Sequence, residues 1–97
     1  MTTIDPLPVT ATLEWASSSG LFLVADRDEG MVYVRTLLGV KVLMIGAEAI
    51  DAVPETWPVV VADLRADYPM PDADASRLVE AIPRALAWLA GGQGADR

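Results

Sequence analysis

The chain has 97 residues, a formal charge of −7 at neutral pH, 53% apolar residues, and neither His nor Cys. Without those two side chains, disulfides, zinc fingers, iron–sulfur clusters and Cys or His catalysis are excluded, and the excess of carboxylates disfavours attraction to nucleic acid or to an anionic membrane. Ordinary domains are about 45 to 50% apolar even with Gly counted, so this chain carries apolar surface that something must cover.

The start, Met1 to Pro6, has neither a basic region nor an apolar stretch of the kind that directs secretion. The longest uncharged windows, Trp15 to Ala25 and Ala85 to Ala95, fall short of the roughly 18 to 20 apolar residues of a membrane helix. The expected location is cytoplasmic, or within a virion if the gene belongs to a phage. Pro6 and Pro8 favour an extended lead from Ile4 to Pro8. From Val9 to Trp15 the alternation is strict, with Val9, Ala11, Leu13 and Trp15 facing one way and Thr10, Thr12 and Glu14 the other. That pattern predicts a half-buried strand.

Ala16 to Gly20 reads as a hairpin connection and Leu21 to Ala25 as a second strand, apolar on both faces. Asp26 to Gly30 reads as a polar turn in which Gly30 takes a positive φ. Met31 to Arg35 and Val40 to Ile45 supply a third and fourth strand, joined near Gly39. Ala47 to Val53 reads as two helical turns stopped by Pro54, and Val59-Val60-Val61 as a short fifth strand with no polar face.

Asp72 or Asp74 is placed to cap a helix from about Ala75 to Ala90. Leu78, Ile82, Leu86 and Leu89 fall on one stripe of that helix, with Pro83 on the polar side. The Gly91–Gly94 run ends it. The expected fold is therefore α+β: a mostly antiparallel sheet of four to five short strands with one C-terminal amphipathic helix. The alternative is a small five-stranded β-barrel with the helix closing one end. Residues 1–90 form one domain in this reading, and 91–97 a Gly-rich C-terminal tail.

No motif carries chemistry. Asp72-Ala73-Asp74 begins like a calcium loop, but Arg77 stands where the loop needs Gly and Pro83 where it needs the bidentate Glu. Gly92-Gln93-Gly94 follows a helix instead of opening one, so no phosphate cradle results. Ser17 to Ser19 have only Lys41 as a possible activating base, and Asp63 with Asp67 is a bare carboxylate pair at the end of the expected fifth strand. Neither catalytic residues nor cofactor or metal ligands are assigned. Carboxylates are spread thinly, with no run longer than Asp28-Glu29, which argues against a mimic of the DNA phosphate ladder.

Tyr33, Trp57, Arg84 and Trp88 are the candidate interface residues. Trp57 lies in a connection beside Pro58, and Trp88 sits at the margin of the helical stripe with Arg84 one turn before it, placed to stack on the indole. Trp15 continues the apolar face of its strand and belongs to the core. With strands apolar on both faces and one helix to cover them, the expected function is that of a non-enzymatic protein–protein interaction subunit of a larger assembly, such as a bacterial complex or a phage particle. The partner is another protein or further copies of the chain, with no direct nucleic acid binding and no membrane contact. The alternative is a small acidic inhibitor or immunity-type protein that blocks a basic site on its target.

Overall fold

Period-two patterning in the first half of the chain resolves into an antiparallel meander of six-residue strands: β1 (Ala11–Ala16), β2 (Leu21–Asp26), β3 (Met31–Thr36) and β4 (Lys41–Gly46). They lie side by side in the order β1-β2-β3-β4. A 3-10 helix, Ala47–Asp51, follows, then α1 (Thr56–Asp67) and α2 (Asp72–Leu89). The computed structural model describes residues 10–91, so the expected lead from Ile4 and the tail beyond Gly91 lie outside the described residues.

The register sorts side chains by face. Leu23 pairs with Trp15 and Val34, and Val34 with Leu43; Ala25 pairs with Val32, and Val32 with Ile45. This face is covered by α2, whose Leu78, Ile82 and Leu86 are fully or almost fully buried in the same cluster. Each such aliphatic side chain contributes about 1.5 to 3 kcal/mol relative to its exposed state. Ala75, Ala81 and Ala85, also buried, keep the helix close to the strands. Pro83 lies inside α2 on its exposed side, where it removes one intrahelical hydrogen bond without disturbing the packed stripe.

The expected fifth strand is a helix. Trp57, Val61 and Leu64 recur at helical spacing and are the buried residues of α1, which packs chiefly against α2. Pro58 falls in the first turn, where its missing N–H is not needed. The helix cost of the three valines is a few tenths of a kcal/mol each, and the Trp57–Leu64 stripe outweighs it. Among the described residues the fold is thus α+β, an open four-stranded sheet with the expected C-terminal helix, α2, and a further helix, α1, and the sheet ends at β1 and β4 without closing into a barrel. Asp63 and Asp67 accordingly sit on the exposed side of α1, not at a strand end. Where two helical turns were expected from Ala47 to Val53, only the 3-10 helix Ala47–Asp51 forms.

The start of α2 also differs from expectation. The helix begins at Asp72, its N-cap is Pro71, and no side chain caps it. Asp74 instead reaches back to the β1–β2 turn, where it accepts hydrogen bonds from the Ser18 backbone N–H (3.0 Å) and hydroxyl (2.8 Å). Trp15 Nε1 donates to the Asp74 carbonyl at 3.0 Å, and Arg77 pairs with the carboxylate.

Candidate interaction surface

Each of the three hairpin turns solves the same problem, reversing the chain within a few residues, and each is closed by a side chain. In the β1–β2 turn Ser17 Oγ accepts from the Leu21 N–H at 2.9 Å, and the Asp74 bonds tie the turn to the start of α2. In the β2–β3 turn Asp26 is buried, accepts from the backbone of Asp28 (2.9 Å) and from the Thr10 hydroxyl (3.1 Å), and Gly30 has φ +69°. Arg27 from that turn stacks on the Trp88 ring at 3.8 Å and donates to the Trp88 carbonyl at 2.7 Å, tying the turn to the end of α2. A cation there also suits the negative end of the helix dipole.

The β3–β4 turn has no such tether among the described residues, and its chemistry is inverted. The Gly39 N–H donates to the Thr36 carbonyl at 3.0 Å, and the Thr36 N–H to the Val40 carbonyl at 2.9 Å. Gly39 has φ +91°, which a side chain would strain. Arg35, only 8% exposed, donates from Nε to the Thr36 carbonyl (3.0 Å) and from Nη2 to the Leu37 carbonyl (3.1 Å). The cation is thus drawn inward to hold the turn, and the turn presents Leu37, Leu38 and Val40 to solvent, Leu38 at 88% and Val40 at 58% exposure. Met44, 61% exposed, continues this apolar surface along β4.

The surrounding charge has the same character. From Gly30 to Ala47 there is no Asp or Glu, although the chain has 14 of them, and this segment holds Arg35 and Lys41. Lys41 bonds Glu29 at 2.9 Å and lies 4.8 Å from the centre of the Tyr33 ring. The hydrogen bond to Glu29 raises the Lys41 pKa and keeps it cationic. Burial, then the nearby Asp26 carboxylate, pushes the Tyr33 hydroxyl up as well.

The four candidate interface residues are not brought together. Tyr33 is buried on the sheet face away from the helices, beneath Lys41. Trp57, expected to be partly exposed, is 5% exposed and anchors α1 to the core. Trp88 is half-buried at the end of α2, and Arg27 stacks on it where Arg84 was expected. Arg84 turns instead toward Glu14 on β1, at 3.7 Å. Val40 and Met44 were read only as members of the fourth strand, and Leu37 and Leu38 escaped the sequence reading, although one signal for the leucines was present: apolar residues in a tight connection, where polar ones are the rule.

Elsewhere the described residues offer little for chemistry. No group of three or more acidic side chains is placed to hold a metal, and no described helix is long and apolar enough to cross a membrane. An open groove between α1 and α2 is lined by Val61, Ala62, Arg65, Ala75 and Val79. Its cation, Arg65, is committed to the Met70 carbonyl (2.7 Å) and to Asp72 (2.9 Å). Compared with known proteins, the chain matches no family model, no curated protein and no solved structure.

Proposed function

We propose that the chain is a non-enzymatic protein–protein interaction subunit of a larger assembly, and that the β3–β4 hairpin is its contact surface. The observation that carries this reading is the apolar tip of a turn held by internal hydrogen bonds. Arg35 and Thr36 hold the backbone of the turn from within, while Leu37, Leu38 and Val40 project outward. Apolar side chains on a preorganised turn lose little entropy when a partner covers them. Burying exposed apolar area stabilises a complex by about 25 cal/mol per Å² before association costs. No carboxylate lies from Gly30 to Ala47, and of the two cations there Arg35 is turned inward while Lys41 is paired with Glu29.

The test is the double substitution Leu38→Ser and Val40→Ser, made in the organism that produces the chain. Its expected outcome is a shift of the native-size species to the free 10.3 kDa chain. A circular dichroism spectrum of the purified variant matching that of wild type would locate the effect at the contact. A native-size species that is insensitive to both substitutions contradicts the reading.

A further inference from the structure

We infer that the partner at this surface is a second copy of the chain, paired β4 to β4 about a two-fold axis beside Met44, so that two four-stranded sheets become one of eight. The inference rests on the interaction reading above and names its occupant. β4 is an edge strand, and no described strand pairs with its outer side. An edge presents alternate backbone N–H and C=O groups, and an antiparallel copy of the same strand satisfies them reciprocally. The two edges of this sheet differ. β1 carries Glu14 beside its register shift, whereas beyond the shift near Lys41 the outer strand reads Val42-Leu43-Met44-Ile45-Gly46, with no charge and no Pro to discourage pairing.

A two-fold axis at Met44 sets the partners. Leu43 comes opposite Ile45 of the other copy, joining residues that pack on the helix side, and the exposed Met44 side chains meet each other on the outer face. Lys41 comes opposite Ala47 of the other copy, one residue from its Glu48. The Glu48 carboxylate already lies over the end of β4, where a Cβ at Gly46 would stand 2.5 Å from Oε1. An ammonium group has three donors and Glu29 takes one, so Lys41 can donate to this second carboxylate. The same antiparallel arrangement carries Leu38 and Val40 past the end of the other β4, toward its exposed Ile50. Five residues of strand give a contact only about 17 Å long. The apolar tips are what extend it toward the roughly 800 Å² per partner of a specific interface.

Light scattering coupled to size exclusion on the purified full chain, at micromolar to hundred-micromolar concentration, tests this. The expected mass is twice 10.3 kDa. Met44→Glu places two carboxylates at the axis and should give a folded monomer, with circular dichroism confirming the fold. Glu48→Lys should weaken the dimer about tenfold, the worth of 1.4 kcal/mol, and adding Lys41→Glu should restore it, which a purely intramolecular role for either residue does not predict. A wild-type monomer throughout, or a dimer that Met44→Glu leaves intact, overturns the pairing. A wild-type monomer whose native-size species in the source organism still collapses on Leu38→Ser and Val40→Ser overturns self-pairing alone. Insensitivity there as well overturns both readings.

Discussion

The β2–β3 and β3–β4 turns make an internal comparison. Both close with a backbone hydrogen bond to the turn's first carbonyl, Gly30 to Asp26 at 2.9 Å and Gly39 to Thr36 at 3.0 Å, and both need a glycine at positive φ. Each is held by one buried charged side chain, Asp26 or Arg35. Between those fixed points one reads Arg-Asp-Glu and packs Arg27 on Trp88, while the other reads Leu-Leu, with Leu37 43% and Leu38 88% exposed. Reversing the chain therefore does not require leucines. Their presence at the β3–β4 turn is accounted for by the proposed contact and not by the fold of the turn.

The largest effect expected from this comparison is at Asp26. Asp26→Ala leaves the Thr10 hydroxyl and the Asp28 N–H without their acceptor, and losing hydrogen bonds to a buried carboxylate should cost about 2 to 3 kcal/mol in urea denaturation. Arg35→Ala should cost less, since the carbonyls it frees at the exposed tip can turn to water. Equal losses would mean that the two turns are not held as described. Next come the glycines: Gly30→Ala and Gly39→Ala should each destabilise by about 1 to 2 kcal/mol, alike in size because the backbone demand is alike.

The third turn supplies a pH test. Backbone and side-chain hydrogen bonds from Ser18, joined by Arg77, hold the Asp74 carboxyl below the usual carboxylate range. A carboxyl whose pKa is lowered in the folded chain stabilises it above the unfolded value, and that contribution is lost as pH falls through the lower folded value. Wild type should therefore exceed Asp74→Ala in stability at neutral pH, with the gap narrowing from about pH 5 to below about pH 3. A gap constant across that range would contradict the tether. The smallest expected effect on stability is at the tip itself, where Leu37→Ser or Leu38→Ser should change the purified monomer by no more than about 0.5 kcal/mol.

Much of the sheet could be read from residue pattern, but the alternation of β1 did not report its faces: the register shift at Glu14 puts Trp15 on the helix side with Leu23 and leaves Leu13, opposite Val24, 48% exposed. Gly30 and Gly39, each between two strands, marked two of the turns. Val59-Val60-Val61 misled because a β-branched triplet has the composition of a strand, while the deciding spacing of Trp57, Val61 and Leu64 spans it on both sides. Asp74 looked like a cap because a cap is a local feature. Its real partner, Ser18, lies 56 residues away, a distance over which local pattern carries no information. Trp88 found Arg27 and not Arg84 for that same reason. The exposed leucines at 37 and 38 were not singled out, because sequence alone does not give their direction and only the geometry of the turn turns them out.

Site-specific photocrosslinking compares the two turns most directly. A photoreactive residue is placed at position 38 in the β3–β4 turn and, separately, at position 28 in the β2–β3 turn, both exposed, in the organism that makes the chain. The account predicts a discrete crosslinked species from position 38, of twice 10.3 kDa if the partner is a second copy, and none from position 28. Equal adducts from both positions, or none from position 38, would contradict the claim that the apolar turn is the contact surface.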